Sequence, residues 1–185
     1  TLIFFMGDNG TGKGINTKMA DGTKINGGKG ASTDAGTHVP LIASFPGVIK
    51  PGTVSKDLVD TTDFLPTVCE AAGVPVPAEL NIDGHSFMPQ LRGEKGQPRE
   101  WTYCWFSQNG GAKASNEFAR NHRYKLYTDG RFFDVSADRL EKDALATDSL
   151  DAEAQAVRKM LQSALDKYKN ARPEKMAKQE AKGGE

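Results

Sequence analysis

The chain has 185 residues and a formal net charge of zero, with 24 basic and 24 acidic side chains. A chain without net charge has no general electrostatic attraction to nucleic acid or to an anionic membrane surface, so we expect neither as a partner. No stretch approaches the roughly 20 consecutive apolar residues of a membrane span, and the two cysteines do not make a disulfide framework.

The first fifty residues indicate two strands separated by a long glycine-rich loop. The apolar run from Leu2 to Met6 predicts a buried strand, and a second apolar strand is expected from Val39 to Phe45. Glycines this dense predict that the backbone of the loop closely approaches another group.

A helix is expected from Asp63 to Ala72, with Thr62 as its N-cap and Gly73 as its end. Several of its residues fall on one face at helical spacing, and we expect that face to lie in the core. This face comprises Leu65, Val68, Cys69 and Ala72.

The pattern changes to antiparallel strands from about Glu100 onwards. A strand is predicted from Trp101 to Phe106, and a hairpin joins Tyr124–Thr128 to Arg131–Val135 through the two-residue turn Asp129-Gly130. His122 should lie on a strand surface. A helix from about Leu150 to Tyr168 should cover one face of the sheet. Its apolar stripe comprises Val157, Leu161, Ala164, Leu165 and Tyr168. Residues 173–185 are charged with few apolar residues, so we expect a disordered tail.

Hard oxygen ligands follow the first strand. Asp8 and Asn9 offer a carboxylate and an amide oxygen at a position where open α/β sheets place their sites. Some twenty residues later, Lys29 stands among glycines, where a lysine can come close to an anion. Together these residues indicate a divalent cation and an oxyanion held side by side.

Six short motifs occur in register between Leu2 and Val135. They are Asp8-Asn9-Gly10, Gly28-Lys29-Gly30, Val39-Pro40-Leu41-Ile42, Phe45-Pro46-Gly47, Asp63-Phe64-Leu65-Pro66-Thr67 and Asp83-Gly84-His85-Ser86-Phe87. In this order and spacing they resemble the C-terminal half of a type I, arylsulfatase-like sulfatase of the alkaline phosphatase superfamily. The family usually has Glu-Gly-Gly where this chain has Asp34-Ala35-Gly36, and often an arginine in place of His38.

This resemblance implies an α/β fold. Residues 1–98 would form the C-terminal part of an alkaline phosphatase-like sulfatase domain, and residues 99–172 a small antiparallel sheet with a packed C-terminal helix. The implied function is hydrolysis of a sulfuric ester, in a small molecule or a sulfated glycan. Because the family is largely exported, a periplasmic or secreted location is also implied.

The resemblance also implies roles for individual residues. Asp8 and Asn9 would be ligands of Ca²⁺, and Lys29 would be a catalytic and substrate-binding residue that contacts the sulfate oxygens. His38 is a second candidate for substrate binding, with a structural histidine held by a backbone group as the alternative. The loop 109–115 is a further candidate for substrate contact.

The nucleophile of these sulfatases is a formylglycine made from the first residue of a Cys/Ser-x-Pro-x-Arg motif, which lies upstream of the matched region. Neither Cys69 nor Cys104 stands in such a motif. We therefore expect a C-terminal fragment that is inactive by itself and binds calcium weakly or not at all. Exposed sheet where strands are missing would favour self-association.

Two enzymatic alternatives stand beside the sulfatase and the inert fragment. A phosphodiesterase or phosphonate hydrolase of the same superfamily would use a similar metal loop with a different nucleophile. The segment from Gly7 to Lys13 also fits Gly-x-x-x-x-Gly-Lys, the start of a phosphate-binding P-loop. However, Gly14 stands where a serine or threonine is needed, and residues 15–28 are too broken to form the required helix.

Overall fold

The computed structural model describes residues 1–107 and 116–171. The predicted tail 173–185 and the candidate loop 109–115 lie outside the described residues. In chain order the elements are β1 (Ile3–Met6), β2 (Asn16–Lys18), β3 (Lys24–Asn26), α1 (Asp34–Thr37), β4 (Leu41–Ser44), α2 (Phe64–Ala72), α3 (Met88–Leu91), β5 (Thr102–Phe106), β6 (Asn116–Arg120), β7 (Tyr124–Tyr127), β8 (Phe132–Asp134) and α4 (Ala152–Tyr168).

The chain divides into two compact units. The first unit is Thr1–Gly7 with Pro40–Thr102, and the second is Asp8–Val39 with the described residues from Tyr103 onwards. The domain boundary predicted after residue 98 stays a prediction.

The sheet of the first unit is an antiparallel pair, β1 with β4. Because successive strand residues point to opposite faces, Phe4 lies on one face and packs on Phe64, with ring centroids 5.1 Å apart. The other face carries Ile3, Phe5 and Ile42, which are 57%, 65% and 59% exposed. The expectation that β1 is buried is therefore wrong for one of its faces within the described chain.

The helix α2 ends at Gly73 as predicted, in a left-handed conformation with φ 69°, but it begins differently. A 3₁₀ turn, Thr61–Asp63, precedes it with Asp60 as its cap, and Asp63 rather than Thr62 is the N-cap residue of α2 itself. The Asp60 carboxylate accepts from the Thr62 N–H (3.0 Å), and the Asp60 N–H donates to the Asp63 carboxylate (2.8 Å). Such reciprocal bonds satisfy the donors at a helix start.

The predicted core face of α2 is also wrong. Leu65 and Val68 are 45% and 47% exposed, whereas Asp63 and Thr67 are buried. Hydrogen bonds of the two buried polar side chains account for this orientation. The Thr67 hydroxyl accepts from the Phe87 N–H (3.0 Å), and the Asp63 carboxylate accepts from the Arg99 guanidinium. Since buried polar groups need partners, these bonds orient the helix against the apolar pattern.

The second unit contains a four-stranded sheet in the order β5-β6-β7-β8, in which β6, β7 and β8 are antiparallel neighbours. The helix α4 packs on β6 and β7, and its N-cap Asp151 accepts from the Ala154 N–H (2.8 Å). The predicted stripe is confirmed, because Leu161, Ala164 and Leu165 are buried. Within the described residues, no helix has the length and apolarity needed to cross a bilayer.

The predicted β7–β8 hairpin is confirmed, although its turn is longer than expected. The Tyr127 N–H donates to the Arg131 carbonyl (2.9 Å), so three residues form the loop, and Gly130 has φ 90°. A left-handed glycine closing a three-residue loop is a common hairpin solution. His122 lies in the exposed bend between β6 and β7 and not on a strand, which corrects the prediction.

Candidate functional site

The glycine-rich segment between β1 and β4 is folded back on itself. Its middle forms the antiparallel hairpin of β2 and β3, an element that the sequence did not predict. At the base of the hairpin, the Gly27 N–H donates to the Ile15 carbonyl (2.8 Å) and the Lys29 N–H to the Thr11 carbonyl (3.0 Å). These bonds place the backbone of Lys29 alongside the segment that carries Asp8 and Asn9.

Two glycines make this close packing sterically feasible. A Cβ atom on Gly10 would lie 1.9 Å from the Ala35 carbonyl oxygen, and one on Gly27 would lie 2.1 Å from the Gly12 carbonyl oxygen. Only a residue without a side chain fits such distances. The predicted close approach is confirmed, and the group approached is the loop's own backbone.

The predicted metal ligands lie next to each other at the end of β1. Asp8 is exposed and Asn9 is half-buried, and the Asn9 amide donates to the Asp8 carboxylate (2.5 Å). That bond leaves the amide oxygen of Asn9 available to a cation. No group of three or more His, Cys, Asp or Glu side chains able to hold a metal occurs among the described residues.

Asp8 and Asn9 offer the type of ligand that calcium prefers, but they are too few to complete its coordination. Carboxylate and amide oxygens are the ligands that Ca²⁺ prefers, yet the ion takes about 6 to 8 of them. Asp8 and Asn9 can therefore supply part of a calcium site, and the remaining oxygens must come from other groups.

Lys29 is exposed and follows the buried Gly28. No carboxylate forms an ion pair with it among the residues that the structure describes. A lysine whose backbone is fixed by the bond to Thr11 and whose residue is exposed suits an anion-binding role.

His38 is the C-cap of the short helix α1, and its side chain is 72% exposed. Its imidazole Nδ1 lies 3.7 Å from a carboxylate oxygen of Asp34, and both interpretations of this histidine stay predictions. Burial by itself raises the pKa of Asp34, but hydrogen bonding to His38 and the charge of Arg120 outweigh that effect and lower the pKa. The structure thus brings His38 onto the same folded segment as Lys29.

A buried polar network, which the sequence did not reveal, supports this segment. The Lys125 ammonium donates to the Ser32 carbonyl and to the Glu141 carboxylate (2.8 Å), and the Tyr127 hydroxyl donates to the same carboxylate (2.5 Å). Arg120 pairs with Asp34. Residues of β6 and β7 therefore hold Ser32 and Asp34, just after Lys29, and Glu141 is the partner of the β7 side chains.

Burial shifts the pKa values of two members of this network. Burial lowers the pKa of Lys125, and the bond to Glu141 opposes that shift. Burial and the same carboxylate raise the pKa of Tyr127. Glu141 has φ 55°, a left-handed conformation that is uncommon outside glycine and indicates a backbone held by its contacts. The one signal available in the sequence was Lys125 itself, a lysine amid the apolar pattern of a strand.

The P-loop alternative is not supported. After Lys13 the chain enters the β2–β3 hairpin, so the helix whose N-terminus would hold a phosphate is replaced by two strands.

Comparison with known proteins gives a consistent result. The family described as N-sulphoglucosamine sulphohydrolase, C-terminal, matches residues 29–171. An ulvan-active sulfatase from Formosa agariphila is 42% identical over 76 residues, which covers 41% of this chain and 15% of that protein. A Delta 4,5-hexuronate-2-O-sulfatase from Bacteroides thetaiotaomicron is 31% identical over 158 residues, covering 80% of this chain and 31% of the relative.

A solved structure, of a protein in complex with its substrate D-glucosamine-2-N,6-O-disulfate, matches with a TM-score of 0.70 and 22% identity. It covers 93% of this chain and 35% of the other. This likeness, together with those to sulfatases solved at higher identity, confirms the alkaline phosphatase-like sulfatase fold with its small antiparallel sheet and packed helix.

The chain thus spans only 15% and 31% of the lengths of the two curated relatives. The family match nevertheless extends over most of the chain and includes Lys29, His38 and the buried network that supports them. We conclude that this chain belongs to the sulfatases, in the family described as N-sulphoglucosamine sulphohydrolase, C-terminal.

Proposed function

We propose that the whole protein hydrolyses a sulfate ester and that this chain contributes Lys29, Asp8 and Asn9 to the site. One observation carries the proposal. The backbone bond from the Lys29 N–H to the Thr11 carbonyl (3.0 Å) joins the Lys29 backbone to the segment that follows Asp8 and Asn9, and this supports a shared site. A cation site and an ammonium group side by side can together surround a sulfate group.

Lys29 would act on the sulfuryl group directly. As the S–O bond to the leaving group breaks, negative charge develops on the bridging oxygen, and a positioned ammonium stabilises it. Because the backbone of Lys29 is already held in place, little reorganisation is needed when the substrate binds.

Asp8 and Asn9 would hold one side of a calcium ion through the Asp8 carboxylate and the Asn9 amide oxygen. When bound, the ion would supply positive charge against the sulfate oxygens. The formylglycine nucleophile of the family would have to come from outside these 185 residues. By itself, the chain should therefore be inactive and bind calcium weakly.

The proposed substrate is a sulfated glycan. Support comes from the curated relatives, which are named for ulvan and for a hexuronate sulfate, and from the matching protein solved with a disulfated glucosamine. His38, exposed beside Asp34, is the proposed second contact to the sugar. A periplasmic or secreted location is proposed on family grounds.

The test is a Lys29→Ala substitution in the whole protein, assayed on an aryl sulfate with Lys56→Ala as a matched exposed lysine. Loss of one electrostatic stabiliser of a transition state should lower kcat by roughly 100- to 1,000-fold. The control should be unchanged. Normal turnover by Lys29→Ala would remove the residue from the site, and faster turnover of a phosphodiester than of a sulfate ester would favour the phosphodiesterase alternative.

Calorimetric titration tests the metal part on the 185-residue chain. We expect weak calcium binding that an Asp8→Asn substitution abolishes. Tight stoichiometric binding that is insensitive to Asp8→Asn would contradict the assignment of this pair.

A further inference from the structure

The β2–β3 hairpin presents one polar, cationic face. Its register pairs Asn16 with Asn26 and Lys18 with Lys24. Directly opposed residues lie on the same side of an antiparallel pair, and alternate residues along a strand share that side. These four residues therefore form one surface, called here the hairpin face, and all four are exposed.

This face has a local excess of positive charge, and no acidic side chain of the described residues neutralises it. Residues 13–29 contain four lysines and one aspartate, although the whole chain has no net charge. Two lysines directly opposite each other disfavour strand pairing. Among the described residues, no acidic side chain forms an ion pair with Lys18 or Lys24.

The one acidic residue of the hairpin is engaged elsewhere. The Asp21 carboxylate accepts from the Thr23 N–H (2.9 Å) and the Thr23 hydroxyl (2.6 Å), and these bonds lower its pKa. Asp21 thus stabilises the turn at the tip of the hairpin, at the opposite end from Lys29. Within residues 1–107 and 116–171, the paired lysines are therefore available to an external anion.

The side chains of the hairpin face indicate which anion. Ammonium groups bind sulfates and carboxylates, and carboxamides exchange hydrogen bonds with hydroxyl groups in both directions. Residues 13–29 contain no aromatic residue on which a nucleic acid base could stack. A polyhydroxylated chain bearing sulfates or carboxylates matches this set of donors and acceptors.

The location of the face connects it to the proposed site. The strand β3 ends at Asn26, three residues before Lys29, and the Gly27 and Lys29 backbone bonds anchor the hairpin on the segment after Asp8 and Asn9. A polymer with one sulfate at Lys29 could therefore extend along the hairpin.

We propose that the hairpin face binds the part of an anionic glycan that lies beyond the reacting sulfate. That the ligand is an anionic glycan rests on the proposed function, whereas the hairpin face itself follows from the strand register. The face would favour polymeric substrates over monosaccharide sulfates.

The experiment measures binding of a dextran sulfate oligomer to the 185-residue chain at low ionic strength. The double variant Lys18→Gln/Lys24→Gln is compared with Lys50→Gln/Lys56→Gln, which removes the same charge from two exposed lysines of the first unit. Each exposed contact should contribute a factor of roughly two to five. We expect about tenfold weaker binding by the hairpin variant, less than twofold change in the control, and convergence of all affinities at high salt.

Several outcomes would overturn the proposal. One is an equal loss of oligomer affinity in both double variants. Another is binding of unsulfated dextran that is as tight as binding of dextran sulfate. A third is binding of single-stranded DNA of the same length that is as tight as binding of dextran sulfate and depends on the same lysines. Hydrogen exchange gives a second readout that needs no variant, because the oligomer should slow exchange within residues 15–27 of the unchanged chain. Absence of that slowing would also contradict the proposal.

The same assay separates this inference from the proposed function. If Lys29→Ala binds the oligomer normally while the hairpin variant does not, the hairpin face stands, and the role of Lys29 is decided separately by turnover in the whole protein. If only Lys29→Ala weakens binding, the hairpin face is wrong and the proposed function keeps its support.

Discussion

Replacing Lys125 by methionine should strongly destabilise the second unit. The Lys125 side chain is fully buried and that of Glu141 is 4% exposed, with their charged atoms 2.8 Å apart. The ammonium also donates to the Ser32 carbonyl and lies 3.8 Å from the centre of the Phe118 ring. Methionine can fill much of the same volume, but it leaves the Glu141 carboxylate buried without its cation.

The magnitude follows from that unpaired charge. Removing one partner of a buried ion pair typically costs about 3–5 kcal/mol. Because Tyr127 still donates to Glu141 (2.5 Å), we expect the lower end, about 3 kcal/mol, or roughly a hundredfold in the folding equilibrium. The double variant Lys125→Met/Glu141→Leu removes both charges and should recover at least half of this loss.

The assay is urea denaturation followed by circular dichroism, with hydrogen exchange of the β7 amides to report on the second unit itself. Lys56→Met serves as the exposed control and should change the free energy of unfolding by less than about 0.5 kcal/mol. A loss below about 1 kcal/mol for Lys125→Met would refute the reasoning. A double variant that is less stable than the single one would refute it as well.

Three further substitutions test other contacts. Gly10→Ala should lower the free energy of unfolding by about 2 kcal/mol or more, because its Cβ would lie 1.9 Å from a carbonyl oxygen. The control Gly12→Ala, whose nearest contact would be at 3.8 Å, should lower it by less than about 1 kcal/mol. Equal losses would contradict the argument from close approach. Arg99→Leu breaks the ion pair with Asp63, whose side chains are 8% and 2% exposed, so it should lower the free energy of unfolding by about 3–5 kcal/mol. Arg92→Leu breaks the pair with Glu70, which is 36% exposed on both sides, and should lower it by less than about 1 kcal/mol. Similar losses in denaturation would argue against a burial effect. Asp34→Asn should flatten the acid side of the plot of unfolding free energy against pH. The pKa of this carboxyl in the folded state lies below its ordinary value of 3.8. The ionised carboxylate therefore stabilises the fold above pH 3.8, and this stabilisation is lost as the pH falls through the folded-state pKa. An unchanged acid limb would show that Asp34 does not contribute.

Much of the fold was predictable from local patterns. The stripe of α4 and the β7–β8 hairpin follow from short-range periodicity and turn residues, and both are present. The glycine-rich segment also correctly indicated close backbone packing around Asp8 and Lys29. Local patterns failed where polar contacts determine which side chains are buried. At the start of α2, Asp63 of the preceding turn and Thr67 of the helix are buried, whereas Leu65 and Val68 are exposed.

The supporting network of the candidate site could not be found from the sequence. Its bonds join residues far apart in the chain, with Arg120 and Asp34 separated by 86 positions and Lys125 and Ser32 by 93. Nothing in the local sequence of Ser32 or Glu141 distinguishes it from an ordinary surface residue. Similarly, the paired lysines of the β2–β3 hairpin acquire meaning only from the strand register.

The sequence by itself determined the family, the stripe of α4 and the β7–β8 hairpin, because motif spacing and periodicity are local properties of the chain. Tertiary structure decided which face of α2 is buried, what holds residues 32–34, and that Lys18 and Lys24 share a face. Those properties depend on desolvation and on partners that only the folded chain brings within bonding distance.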